Sequence, residues 1–195
     1  MKYIIFTFLL SVGVFYSCDD YLEMETVGKI SQEDYYKDDN AVKTSTLAAY
    51  DVLQALYATD WISLWMAKTL LADEINCGGG NSSDQPGYQT LATLTHTPSN
   101  DKLNPIYQNL YAGVFRCNTV LDNVPDETLA QKVARAEAKC LRAYYYFELV
   151  TMFGNVPLVT QVLESGVNPG PSTPAEIWAQ IETDLTEAAE DLPVK

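Results

Sequence analysis

Histidine is nearly absent: His96 is the single one in 195 residues. The four cysteines, Cys18, Cys77, Cys117 and Cys140, include no C-x-x-C pair, so no zinc centre, and no other metal or cofactor, is expected. Basic residues are few, 12 Lys and Arg against 26 Asp and Glu, for a formal net charge of −14. That balance argues against nucleic acid as a partner, because phosphate contacts draw on Lys and Arg. It argues equally against charge-driven adhesion to anionic membranes, and acidity by itself signals only a well-solvated surface. Long apolar runs are missing too. The longest, residues 3–14, is too short to span a hydrocarbon layer of about 30 Å. No G-x-S-x-G elbow precedes a helix, so a serine nucleophile would depend on His96 alone. The glycines at 78–80 lack the Lys-Ser/Thr of a phosphate loop, and Asp38, Asp39 and Asn40 lack the spacing of a calcium loop. Glycoside hydrolysis needs only two placed carboxylates, and 26 acidic residues supply chance pairs everywhere, so a hydrolase stands as a third reading.

What is present is helical pattern. With 47% hydrophobic residues the chain can bury one domain core. The stretch 134–157 carries two apolar rows at helical spacing. One row is Leu141, Tyr145, Leu149 and Met152; the other is Cys140, Ala143, Phe147 and Val150. Rows on neighbouring faces predict a helix wrapped by other helices, with alanines permitting close approach. Gly154 and Pro157 end it. Further helices are predicted over 41–57, with Val42, Leu47, Tyr50, Leu53 and Leu56 as core candidates, and over 61–75, opened by Asp60. Residues 104–124 and 127–153 follow, the second capped by Asp126, and a last helix opens at Thr173-Pro174-x-Glu176 with the stripe Ile177, Ile181, Leu185 and Ala188. Ser31-x-x-Asp34 reads as a capping box for a short helix. Between them, 77–84 reads CGGGNSSD and no helical period continues to Asn100, which predicts a long irregular loop; 156–162 is a short extended run. Cys140 and Cys117 fall on apolar helical rows, and a disulfide among Cys77, Cys117 and Cys140 stays open.

The N-terminus reads as an address. Lys2, the apolar run and then Ser17-Cys18 look like a lipoprotein signal, giving 1–17 as signal peptide, Cys18 as the lipidation site and 18–30 as anchor and linker. Phe15 and Tyr16 depart from the usual residues before such a cysteine, and an ordinary secretory signal cut elsewhere is the alternative. Asp19-Asp20 resembles the surface-export signal of Bacteroidota lipoproteins.

The wording of the central helix goes further. Glu137, Ala138, Leu141, Arg142, Ala143, Tyr146, Phe147 and Leu149, then Phe153, Gly154, Val156, Pro157, Leu158 and Val159, resemble the SusD/RagB family of outer-membrane nutrient-binding lipoproteins. Tyr21-Leu22-Glu23, Leu71-Ala72-Asp73, Tyr107 with Asn118 and Leu121, and Asp184-Leu185 with Ala188 and Leu192-Pro193 extend the resemblance over most of the chain. It implies an all-α fold, a tetratricopeptide-like solenoid of helix pairs with one long irregular loop, over 31–195. Family members are longer, so this domain is expected to be the N-terminal part, incomplete at its C-terminus. Its last stripe of Ile and Leu would then stay uncovered and its stability alone would be poor. The implied function is non-enzymatic: an outward-facing, lipid-anchored protein of the cell outer membrane that binds a glycan and delivers it to a TonB-dependent, SusC-like transporter. A helical-repeat scaffold for another protein is the runner-up.

Sugar binding needs flat aromatic faces beside hydrogen-bonding side chains. The chain has 13 tyrosines, most of them on core rows. The ligand-binding candidates lie in or beside the loop: Trp61, Trp65, Asp73, Asn76, Asn81, Tyr88, Gln89 and His96, with core packing the competing role for the two tryptophans.

Overall fold

The computed structural model describes residues 32–57, 63–81 and 83–193. Seven helices run through them: α1 (Gln32–Tyr35), α2 (Asp39–Tyr57), α3 (Leu64–Leu71), α4 (Pro86–Ala92), α5 (Leu103–Asn123), α6 (Leu129–Phe153) and α7 (Pro174–Asp191). No strand is formed among the described residues; an isolated antiparallel bridge joins Val156 to Ser172. No described helix is long and apolar enough to cross a membrane. Ser31, Asp60 and the signal and anchor stretch 1–30, with Cys18, lie outside the described residues.

The predicted central helix is indeed central. α6 packs against α2, α5 and α7. Tyr145 and Tyr146 are fully buried on it. Tyr145 donates its hydroxyl proton to the Ala49 carbonyl of α2 at 2.6 Å, across three layers of helix. On the α5 side Gly113 meets the Tyr145 ring so closely that a Cβ there would sit 2.5 Å from it. α5 and α6 are joined by five residues and form an antiparallel pair, and α7 returns antiparallel along α6, as the contacts of Phe147 with Trp178, Arg142 with Asp184 and Lys139 with Glu187 trace out.

Each helix begins where local chemistry satisfies its free N–H groups. Thr128 caps α6 in a full capping box with Gln131, and Thr173 does the same for α7 with Glu176. The expected Asp126 cap is thus displaced by two residues, because Thr128 has the partner three residues on that Asp126 lacks. Gly154 closes α6 with φ of 71°, its N–H donating to the Val150 carbonyl at 3.0 Å. The helix predicted over 61–75 is shorter, starting after Ser63, whose hydroxyl accepts from the Met66 N–H.

Four core expectations need correction. Leu47 and Tyr50 of α2 and Phe147 of α6 are 55, 38 and 38% exposed, since they sit at the margins of their rows where no neighbouring helix covers them. Cys140 is half-buried rather than sealed. The α7 stripe is not left bare: Ile177, Ile181 and Ala188 are buried against α6, and Leu185 alone turns outward at 46% while Asp184 takes the buried position beside it. The stretch 77–100 is not wholly irregular either, because Pro86 starts α4, which buries Tyr88 and Leu91. Cys77, Cys117 and Cys140 are free thiols.

Asp184 is buried because it holds Arg142. The guanidinium grips it with two bonds, Nε to Oδ2 at 2.8 Å and Nη2 to Oδ1 at 2.7 Å. Nη1 reaches the Asn118 Oδ1 at 2.8 Å and the Thr160 carbonyl at 2.9 Å. Burial works against the guanidinium's charge, and the hydrogen bonds and charge of Asp184 prevail, so it stays protonated. The same cluster stitches down the extended run. Asn118 Nδ2 donates to the carbonyls of Val159 and Gln161, Tyr111 donates to Pro157, and the Tyr146 hydroxyl bridges the Val159 backbone. Side chains here satisfy backbone groups that a second strand would otherwise take.

Candidate functional site

The loop region after α3 is ordered by a few polar anchors. Buried Asn100 donates to the Gly87 carbonyl and the Thr90 hydroxyl, while its Oδ1 accepts the N–H groups of Lys102 and Leu103 at the head of α5. One side chain thereby fixes α4 to α5. Tyr88 accepts the Ser63 N–H at 3.1 Å, and the Lys102 ammonium lies 5.0 Å over its ring. Burial pushes the Tyr88 phenol above its usual 10, so it stays neutral. α3 is tied to the main bundle by Lys68, whose ammonium meets Glu148 of α6 at 2.7 Å.

Between α3, α4 and the chain that joins them lies a cavity of about 330 Å³. Trp65, Ile75, Asn76, Gly78, Gln85 and Tyr88 contribute to its wall. The Trp65 side is open, the residue being 58% exposed on α3, while Tyr88 at 3% forms the floor. Chemically this is an indole face, an amide from Asn76 and one from Gln85, and an apolar base. The volume sits at the low end of the ~300–1,000 Å³ typical of small-ligand sites.

The predicted residues divide. Trp65, Asn76 and Tyr88 come together at this cavity. Gln89 does not line it; its amide donates to the Gly78 carbonyl at 3.1 Å and shapes the wall from behind. Asp73 lies outside, ending α3 in a left-handed conformation at φ 59°, a conformation that Asp tolerates. Asn81 uses its side chain in a local turn, accepting the Ser83 N–H. His96 stands apart as well, half-buried, with Nδ1 lacking a partner among the described residues. Trp61 lies outside the described residues. Gln85, Ile75 and Met66 are the lining residues that the sequence reading did not name. For Gln85 the one available signal was Pro86 after it, which marks the residue before a helix start. Among the described residues no group of three or more His, Cys, Asp or Glu could hold a metal ion.

Comparison with known proteins meets this geometry. A family model described as SusD-like, "Starch-binding associating with outer membrane", matches residues 72–195, more than half of the chain. SusD-like protein P38 of Formosa agariphila is 29% identical over 98% of this chain, and the chain spans 37% of that protein's length. A laminarin-binding SusD-like protein of known structure superposes with a TM-score of 0.68 at 33% identity, over 79% of this chain and 34% of its own. Surface glycan-binding protein A from Bacteroides uniformis gives 0.72 at 25% identity, over 81% and 36%. These relatives share the tetratricopeptide-like helical-repeat scaffold of α2 and α5–α7. The match in sequence across 72–195 and the match in fold meet on the same helices, and the chain belongs to the SusD-like family.

Proposed function

We propose that this protein captures a glycan, without turning it over, in the α3–α4 cavity. The observation that carries the reading is the open Trp65 indole set beside the amides of Asn76 and Gln85 on one wall system. A pyranose offers an apolar C–H face to such a ring and hydroxyls to such amides, so stacking and hydrogen bonding are met at once. The family's description as starch-binding, and the relatives titled laminarin-binding and glycan-binding, support carbohydrate as the class. In this reading Cys18 carries lipid after removal of 1–17, residues 18–30 tether the helical domain 31–195 to the outer face of the outer membrane, and a TonB-dependent, SusC-like transporter receives the sugar. The affinity is modest, because one exposed ring and two amides form the contact, and the transporter supplies uptake.

Calorimetric titration with laminarin and malto-oligosaccharides tests this. Saturable binding is expected for at least one of them, weakened about tenfold or more by Trp65→Ala, with no released reducing ends. Absence of binding across both glucan types, or binding indifferent to Trp65 and Asn76, would refute it.

A further inference from the structure

A second and larger cavity lies on another face, between the N-terminal halves of the parallel helices α2 and α6. Its volume is about 720 Å³. Leu47, Tyr50, Leu129, Val133, Ala134 and Glu137 give it its character. Leu47 and Leu129 are 55% and 77% exposed, far more than side chains of a finished core. The wall along α2 from Asp39 to Tyr50 is about 17 Å long at ~1.5 Å per residue, enough for three turns of a helix laid alongside.

Glu137 is the residue the fold leaves unexplained. It stands in the same helix as Ala138, Leu141, Arg142, Ala143 and Tyr146, all of which are buried by the bundle. Glu137 is half-buried in the groove, and among the described residues no hydrogen bond or ion pair satisfies its carboxylate. Burial raises its pKa, the mark of a carboxylate partly stripped of water without compensation. Lys43, on the rim, is within no ion-pair distance of it, and Asp39 adds a second negative charge at the groove's end. Apolar walls with a lone desolvated carboxylate call for a ligand that is apolar along its length and positive at one point.

We infer that this groove docks an amphipathic helix of a separate polypeptide, with an arginine or lysine among its apolar anchors seated on Glu137. A helix suits the site because two parallel helices present ridges that take side chains spaced i, i+3, i+4 and i+7. The cation suits it because charge complementarity is otherwise missing, and a planar guanidinium can bond both carboxylate oxygens.

The test uses the purified chain and a labelled synthetic helix of about eighteen Ala, Leu and Gln residues with one arginine in its leucine face, beside twins carrying Gln or Glu there. Fluorescence anisotropy should rank Arg over Gln over Glu, with Arg at least fivefold tighter than Glu. Glu137→Gln, which keeps the shape, should erase the ranking, and Glu137→Lys should invert it. Thermal melts separate docking from folding: Glu137→Gln should melt no lower than the parent, since a partly desolvated charge is removed. No binding, a ranking that survives in Glu137→Gln, or a lower melting point for that variant overturns the inference. So does sedimentation showing a dimer that Leu47→Asp dissolves, because a second copy would then be the occupant.

Discussion

Removing half of the Arg142–Asp184 pair should be the most damaging polar substitution in the bundle. Asp184 is 1% exposed and Arg142 6%, and the two bonds between them are 2.7 and 2.8 Å. Asp184→Ala leaves a guanidinium enclosed by α5, α6 and α7 with only Asn118 and Thr160 as acceptors. Breaking one side of a buried pair costs about 3–5 kcal/mol, because the remaining charge is trapped without its partner. For a chain of this size that is a fall of roughly 6–20 °C in Tm. Arg142→Met is expected to cost a similar amount, and it also frees the Thr160 carbonyl.

The double variant Arg142→Met/Asp184→Leu decides between mechanisms. If desolvated charge is the problem, removing both ends should cost no more than the worse single change, far from the sum of the two. Urea unfolding followed by far-UV circular dichroism measures all three. The extended run gives an independent readout: residues 156–162 should become more protease-sensitive in Arg142→Met, where one stitch is lost, than in Asp184→Ala. A cost below about 1 kcal/mol for Asp184→Ala, as for an exposed surface pair, would refute the reasoning. So would a double variant equal to the sum of the singles.

Gly113→Ala should destabilise by about 1–3 kcal/mol, because its Cβ would meet the immobile Tyr145 ring at 2.5 Å; chemical denaturation against the parent checks it. Under native conditions a thiol reagent should modify Cys77 and Cys140 and spare Cys117, which is fully buried and whose thiol burial pushes up to about 12. Labelling of Cys117 at the same rate would contradict the packing. The Glu176 carboxylate is held below its ordinary 4.5 by the Thr173 backbone N–H and then its hydroxyl. A depressed carboxylate stabilises above its unfolded pKa and stops doing so as pH falls through the folded one, so the α7 cap should loosen only below about pH 4.5. Amide exchange at Thr173 and Glu176 follows this, and early fraying near pH 6 would be inconsistent with it.

Much of the bundle was legible because its helices are long. Over 25 residues of α6, 21 of α5 and 18 of α7, periodicity is overdetermined, and Thr173-Pro174-x-Glu176 writes a helix start outright. Thr128-x-x-Gln131 writes one just as plainly and went unread behind Pro125-Asp126. Periodicity fixes which side chains share a face but not how wide a neighbour that face receives. Leu47, Phe147 and Leu185 obey their stripes and still reach water. Asp184 shows the converse, a charged residue adjacent to a stripe that is buried because Arg142, 42 residues earlier, needs it.

The cavity was less legible for a related reason. α3 and α4 have 8 and 7 residues, too few for a period to speak, and their places are set by contacts that no local pattern carries. Tyr88 is buried because the Ser63 N–H and the Lys102 ammonium both reach it, and α4 holds its angle because Asn100 ties it to the head of α5. Trp65 is exposed because Leu64, Ala67 and Leu70 already fill the side of α3 that faces inward. A short helix pinned at a few polar points opens locally at less free energy than a 25-residue helix packed on three others. The bundle can therefore stay rigid while the α3–α4 wall adjusts to what it holds. That division follows from where the long apolar rows run and where they stop.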